Sequence, residues 1–135
     1  MITLFAIPKP FEGHNGIIQK NAMVSWSKLV GNPEIIIYGE GEGVSETCRE
    51  LGFIHVPKIE VNEYGTPLVN FIFNDAKKRA KNDTVCYINS DIILFPDFIN
   101  NTKSVDLAEY LLVGRRWDLD ITEEINFDSK NWKSD

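Results

Sequence analysis

Short apolar runs alternate with longer segments of helical periodicity along most of the chain. The runs at 2–7, 34–38, 53–56 and 85–88 are too short for helices and rich in β-branched and aromatic residues, so they predict strands. The first run is almost entirely apolar, which is typical of a strand covered on both faces in a parallel sheet. The alternation of strand and helix patterns predicts an α/β fold with a three-layer, mostly parallel, doubly wound sheet.

Breaker residues divide the segments between these strands into helices. Gly31 and Pro33 would end the first helix, because Gly suits the left-handed cap and Pro cannot continue a helix. Thr66 and Pro67 fit the cap and the first helical position of the third. The chain therefore predicts helices over 17–30, 45–51, 67–80 and 96–102, and a further strand over 110–114.

Length and composition are those of an ordinary globular domain. Of the 135 residues, 43% are hydrophobic and 25% are charged, so residues 1–135 are predicted to form a single domain with its own core. The net charge is −6, and such an acidic chain lacks the clustered basic surface by which proteins bind nucleic acid. We therefore expect no nucleic-acid partner, and an anionic ligand would need a cation or a few local Lys and Arg residues.

The sequence carries no sign of export or of a cysteine-based site. Cys48 and Cys86 have no close spacing to each other or to His14 and His55, which argues against a disulfide framework and a zinc site. The chain enters a predicted strand directly after Met1, without the basic flank and cleavage site of a secretion signal. No apolar run has the length needed to cross a bilayer. We expect a cytoplasmic protein with no membrane span.

The candidate site is the polar end of the strand predicted at 85–88, whose apolar residues, including Tyr87, predict a buried strand. Asn89, Ser90 and Asp91 follow this run directly, at the carboxyl edge where open α/β sheets bind ligands. Side chains alternate along a strand, so Asn89 and Asp91 should point to one side and Ser90 to the other. This spacing would let one amide and one carboxylate share a cation. The alternative is that Asn and Asp end the strand because they favour turns.

Two other candidate features have plainer interpretations. The stretch from Gly39 to Val44 begins like a dinucleotide-binding loop, but it follows the second strand, and Glu40 and Glu42 have the wrong sign for a pyrophosphate. A flexible acidic turn is the better interpretation. His14 lies in the loop after the first strand, where it would be either a general acid or base or an ordinary surface histidine.

A second charged strand end occurs later in the chain. Arg115 and Arg116 come directly after the strand predicted at 110–114, where they would either clamp a diphosphate or form an exposed, charged strand end. Together with Asn89-Ser90-Asp91 after three βα units, the stretch Gly114-Arg115-Arg116-Trp117-Asp118 resembles the GT-A type of glycosyltransferases, whose sheet is Rossmann-like. The resemblance covers most of the chain.

This resemblance implies a nucleotide-sugar site. In the superfamily, the corresponding strand ends in an Asp-x-Asp motif that holds Mn²⁺ or Mg²⁺ against the diphosphate of a nucleotide sugar. Asp91 would take that role here, and Asn89, which replaces the first Asp, would be a ligand without charge. By position, the rest of the nucleotide-sugar site would be formed by Ile7, Pro8, Lys9, Gly39, Glu40, Ser90, Arg115 and Arg116.

The implied activity is transfer of a sugar from a nucleoside diphosphate to an acceptor hydroxyl. Superfamily members continue into an acceptor-binding half that carries the base of inverting enzymes, so we expect this chain to correspond to the donor-binding half, with no catalytic base assigned. An alternative from a different class is a non-catalytic α/β interaction module that keeps only the fold. A phosphotransfer receiver fits less well, because it needs clustered acids where this chain has Pro8-Lys9-Pro10.

Overall fold

The computed structural model describes residues 1–129 and Trp132, which contain four strands and four helices in alternation. None of these helices, within the described residues, is long and apolar enough to cross a bilayer. The elements are β1 (Ile2–Ala6), α1 (Gly13–Ser27), β2 (Glu34–Tyr38), α2 (Val44–Leu51), β3 (Ile54–Val56), α3 (Val69–Arg79), β4 (Thr84–Tyr87) and α4 (Asp97–Lys103).

The four strands form one parallel sheet in the order β3-β2-β1-β4. β1 is paired on both sides, and its Leu4 lies opposite Ile35 of β2 and Cys86 of β4. Every residue of β1 is buried, because the central strand of a parallel sheet is covered on both faces. The predicted α/β class is confirmed, and the arrangement is compatible with a Rossmann-like fold.

Alternate residues of the strands pack into two separate apolar cores. Leu4 of β1 belongs to the core that contains Trp26 of α1 and Cys48 of α2. Phe5 faces the other way and packs with Ile72 of α3. The chain moves outward from β1 to β3 through α1 and α2 and returns to β4 through α3. Right-handed crossovers in opposite directions place their helices on opposite faces, which explains the two cores.

A polar contact ties α3 to the sheet. The hydroxyl of the buried Tyr38 donates a hydrogen bond to Asp75 Oδ2 at 2.8 Å, and Arg79 Nε donates to the same oxygen at 2.6 Å. Burial, together with the hydrogen bond to Asp75, raises the pKa of Tyr38 far above its usual range. The hydrogen bond from Tyr38 to Asp75 therefore links β2 to α3.

The predicted start of α3 is wrong for a local reason. The helix begins at Val69 and not at Pro67, which instead forms an isolated antiparallel bridge with Val61. The amide of Thr66 donates to Asn62 Oδ1 at 3.0 Å, so Thr66 closes a turn and does not cap the helix. The side chain of Asn62 mimics the backbone of a turn in this way, and this local bond outweighs the cap signal.

The strand predicted over 110–114 is also wrong. Residues 105–120 form neither strand nor helix, and Leu111 and Val113 are 90% and 80% exposed. The oxygen atoms of the Tyr110 and Thr84 hydroxyls, 3.2 Å apart, place the start of this stretch beside the first residue of β4. An apolar run becomes a strand only where a neighbour supplies hydrogen bonds and burial, and no strand of the described chain does so here.

The chain returns to α1 after this exposed stretch. Asn21 of α1 is buried; its Nδ2 donates to the carbonyl oxygen of Glu123 at 2.9 Å, and its Oδ1 accepts from the amide of Ile125 at 2.8 Å. Lys28 and Asp128 form an ion pair at 3.1 Å farther along the helix. One buried amide side chain therefore holds the irregular segment 123–125 against α1.

Candidate functional site

The carboxyl ends of β1 and β4 lie side by side at a switch point of the sheet. The two strands are paired as far as Phe5 and Tyr87, and the amide of Ile88 donates to the carbonyl oxygen of Phe5 at 3.1 Å. Residues 7–9 and 89–91 therefore leave neighbouring strands, which are spaced about 4.8 Å apart. The strand order reverses between β1 and β4, because α1 leaves β1 on one face and α3 precedes β4 on the other. In open α/β sheets ligands bind outside the carboxyl ends of the strands at such a reversal. Here α4, which follows β4, packs on the same face as α1.

Residues 89–91 form a hydrogen-bonded turn at the end of β4. The amide of Ile92 donates to the carbonyl oxygen of Asn89 at 3.2 Å, so the chain turns here and does not continue as a strand. Asn89 and Asp91 are exposed and Ser90 is buried, which is the alternation that the sequence predicts. Ser90 is only 7% exposed, yet its Oγ has no hydrogen-bond partner within the described part of the chain. Buried hydroxyls are normally hydrogen-bonded, so this enclosed oxygen is an exception, and it points away from the exposed side chains of Asn89 and Asp91.

Helix α1 fixes this turn from behind. Trp26 Nε1 donates to the carbonyl oxygen of Ile92 at 2.8 Å, and the amide of Leu94 donates to Ser25 Oγ at 3.0 Å. Trp26 and Ser25 are both buried, so water competes little for these hydrogen bonds. The position of Asn89 and its neighbours therefore depends on α1 as well as on β4.

The loop after β1 is held by a second buried side chain of α1. Gln19 Oε1 accepts a hydrogen bond from the amide of Lys9 at 2.7 Å, and Gln19 Nε2 donates to the carbonyl oxygen of Lys9 at 2.9 Å. These two hydrogen bonds use the backbone amide and carbonyl of Lys9, while its side chain is exposed. Lys9 is thus a cation on a fixed loop at the switch point.

The end of β2 lies one strand farther from β4. The amide of Gly39 donates to the carbonyl oxygen of Val56 at 3.0 Å, and the carbonyl oxygen of Gly39 lies 2.6 Å from His55 Nε2, so its backbone is engaged with β3. Glu40 is exposed. A ligand that reaches from Asn89 to Glu40 would have to cross β1, a span of about 10 Å, or two strand spacings.

The acids beyond Glu40 disfavour a phosphate in this part of the edge. A hydrogen bond with Glu12 and the negative charge of Glu12 raise the pKa of Glu42, and the charge of Glu46 adds to this effect. The neighbouring carboxyl groups of Glu12, Glu42 and Glu46 would repel an anionic ligand. The structure therefore supports the acidic-turn interpretation of this stretch over a dinucleotide-binding loop.

Gly43 allows the loops after β1 and β2 to approach each other. Its φ is 81°, and a Cβ added there would lie 2.6 Å from Phe11 Cβ. We expect Gly43→Ala to lower the free energy of unfolding by about 3 kcal/mol, through left-handed backbone strain and displacement of Phe11. Gly52→Ala is the matched control, because φ is 74° but the new Cβ meets nothing within 4 Å, and a loss of about 1 kcal/mol is expected. Equal losses in denaturant titrations would exclude a contribution from Phe11.

The structure does not bring the two arginines to the switch point. Arg115 and Arg116 lie in the exposed stretch 105–120, and Arg116 Nε pairs with Asp118 Oδ1 at 3.1 Å. Within residues 1–129, no ion pair joins either arginine to Asp91. A diphosphate clamp that includes them would need the stretch to move towards β4.

The oxygen ligands at the switch point suit a hard cation but are few. Among the described residues, no group of three or more His, Cys, Asp or Glu side chains could hold a metal ion. Asp91 and Asn89 would supply one carboxylate and one amide oxygen. Mg²⁺ commonly binds through one or two carboxylates, several waters and the phosphates of a substrate. The pair therefore fits a cation that binds together with a phosphorylated ligand.

The candidate site is an open edge and not a deep cavity. A concavity of about 330 Å³ lies between α1 and the C-terminal segment, where Leu29, Phe127 and Trp132 line it. A larger one of about 600 Å³ lies at the amino end of the sheet, lined in part by Pro33 and Phe53. Neither is lined by residues 89–91. The exposed side chains of Lys9, Asn89 and Asp91 are therefore surface groups that a ligand at the switch point would contact.

An exposed aromatic pair, which sequence reasoning missed, adjoins the turn. The ring centroids of Phe73 of α3 and Tyr87 of β4 are 5.6 Å apart. Burial raises the pKa of Tyr87, and the negative charge of Asp91 raises it further. Tyr87 was predicted to lie in a buried strand, but β4 is an outer strand of the sheet and leaves it 41% exposed.

Gln19 and Trp26 were also missed as residues of the site. Trp26 is fully buried, and a buried indole N–H needs a hydrogen-bond partner. A buried polar group on a helix face is the signal that would have predicted such contacts.

Comparisons with protein-family models, with curated protein sequences and with solved structures found no match to this chain.

Proposed function

We propose that this chain is a nucleotide-sugar-binding domain of GT-A type, either a glycosyltransferase or its donor-binding part. The proposed ligand is a nucleoside-diphosphate sugar, and the proposed reaction transfers the sugar to an acceptor hydroxyl. The observation that carries the proposal is the turn at 89–91, where an exposed carboxylate and an exposed amide lie two residues apart at the switch point of a parallel sheet.

A divalent cation, Mn²⁺ or Mg²⁺, is part of this proposal. The chain is acidic and Asp91 is exposed, so a diphosphate would be repelled here unless positive charge came with it. Asp91 and Asn89 would hold the cation, and the Lys9 ammonium group is the cation nearest along the neighbouring loop. When bound, the metal would offset negative charge on the departing diphosphate.

A second candidate function is a non-catalytic interaction module. Large apolar side chains of the stretch 105–120 are exposed, and Trp117 and Leu111 are 93% and 90% exposed. Exposed apolar patches of this kind often mark interaction sites. This function needs the fold but neither the cation nor the polar groups of the turn, so a ligand experiment separates the two.

Paramagnetic broadening by Mn²⁺ tests where a nucleotide would bind. With UDP present, substoichiometric Mn²⁺ is expected to broaden the amide signals of Lys9, Asn89 and Asp91 first. Asp83 precedes β4 and Gly52 follows α2, both at the amino edge of the sheet, and their signals should persist and serve as internal controls. Selective broadening at the amino edge, or none that depends on UDP, would contradict the proposed site.

A further inference from the structure

Two aromatic rings form a small apolar surface on the α3 side of β4. Phe73 and Tyr87, 42% and 41% exposed, have ring planes inclined by 32° and centroids 5.6 Å apart. We call this pair the aromatic shelf. Both side chains keep about two fifths of their surface in water, so the two rings together offer a small apolar surface to a ligand.

The aromatic shelf is held rigidly from below. The buried Phe5 meets Phe73 edge to face, with centroids 4.9 Å apart and planes at 89°. It meets Tyr87 at 5.6 Å and 63°. Such edge-to-face contacts are favourable geometries for aromatic rings. The exposed rings are therefore positioned before any ligand arrives, and a ligand that stacks on them would lose little free energy in ordering the site.

The aromatic shelf is continuous with the polar groups of the turn. Tyr87 is the last residue of β4, and Asn89 follows it by two residues in the turn. Binding sites for small molecules commonly combine an apolar or aromatic surface with a few such polar groups. A pyranose ring has the matching chemistry, with an apolar C–H face and hydroxyls that donate to carboxylate and amide oxygens. A bare anion, by contrast, would be repelled by the carboxylate of Asp91.

We propose that the aromatic shelf and the turn at 89–91 form a subsite for a hexopyranose ring. The ring stacks on Phe73 and Tyr87, and its hydroxyls donate to Asn89 and Asp91. The same ring chemistry is found in the sugar of a nucleotide donor and in a free saccharide acceptor. The donor case rests on the proposed function, whereas the acceptor case does not.

Calorimetric titrations of UDP, a panel of UDP-hexoses and the matching methyl hexopyranosides test the subsite. We expect at least one hexose to bind about 10-fold more tightly as its UDP conjugate than UDP alone does, or to bind as its methyl glycoside. Tyr87→Leu keeps an apolar side chain but removes the ring, so it should abolish this gain and leave the affinity for UDP unchanged. Phe73→Ala should act in the same way, while Tyr87→Phe should retain most of the gain.

Phe95→Ala is the matched control. Phe95 is 46% exposed, but it contacts Trp132 on the α1 side of the sheet, so saccharide binding should not change. Methyl glycoside binding without UDP binding would support the subsite and contradict the proposed function. A gain seen only with the UDP conjugate would assign the ring to the donor. The subsite would be overturned if wild-type protein bound no methyl glycoside and bound no UDP-hexose more tightly than UDP. It would also be overturned if a folded Tyr87→Leu variant bound the hexose as tightly as the wild type does.

Discussion

Replacing Trp26 with alanine is expected to lower the free energy of unfolding by about 4 kcal/mol and to loosen the turn at 89–92. The indole ring is fully buried in the core between α1 and the sheet, so truncation leaves a large cavity. The same side chain donates to the carbonyl oxygen of Ile92 at 2.8 Å. Its loss therefore removes both packing under the sheet and the hydrogen bond that fixes the candidate site.

Two variants separate these contributions in denaturant titrations. Trp117→Ala removes the same residue type from a position that is 93% exposed, and it should change stability by less than about 0.5 kcal/mol. Trp26→Phe keeps much of the packing but leaves the carbonyl oxygen of Ile92 without its donor, at a cost of about 1–2 kcal/mol. Faster hydrogen exchange at the amide of Ile92 would report the loosened turn. A Trp26→Ala variant as stable as Trp117→Ala would contradict this account of the core.

Replacing Asp91 with alanine is expected to lower the cation-dependent affinity for a nucleoside-diphosphate sugar about 100-fold. Asp91 supplies the only carboxylate of the turn, and the amide of Asn89 brings no charge to offset its loss. The variant should fold normally, because the Asp91 side chain is exposed. Calorimetric titration of the nucleotide sugar in the presence of Mn²⁺ measures the effect.

Two further variants test whether the charge of the turn, and not the net charge of the chain, controls binding. Asn89→Asp adds a second carboxylate to the turn, so we expect about 10-fold tighter cation binding and weaker nucleotide binding when no cation is present. Asp83→Ala removes an exposed carboxylate from the opposite end of β4 and should change neither. An Asp83→Ala effect equal to that of Asp91→Ala would show that net charge, and not the turn, controls binding.

Periodicity and breaker residues were enough to predict the presence and order of the four strands and four helices of the sheet region. They work there because each apolar face of β1 or α1 has a layer to pack against. The bounds of α1 were wrong, because it runs from Gly13 to Ser27 and so contains His14, which was predicted to lie in a loop. The same reasoning failed at 110–114, since an apolar run does not specify whether a partner strand is present. It also failed at Thr66, where a hydrogen bond to Asn62 that spacing does not reveal decides the local structure.

The candidate site was predictable only in part, for a similar reason. Strand alternation and the carboxyl-edge rule predicted the exposed Asn89 and Asp91, and strand order brings residues 7–9 beside them. Gln19 holds Lys9, and Phe73 contacts Tyr87, through contacts between residues on different elements. No local sequence pattern indicates such contacts. The roles of Arg115 and of the cation remain predictions.

The most direct test of the central claim is a calorimetric titration of UDP and GDP into the wild-type protein, with and without Mn²⁺. The account predicts that Mn²⁺ raises the affinity for at least one of the two nucleotides about 10-fold or more, and that Asp91→Ala abolishes this increase. Equal affinities with and without the cation, or no nucleotide binding by the folded protein, would contradict a cation-dependent diphosphate site and would favour the interaction module.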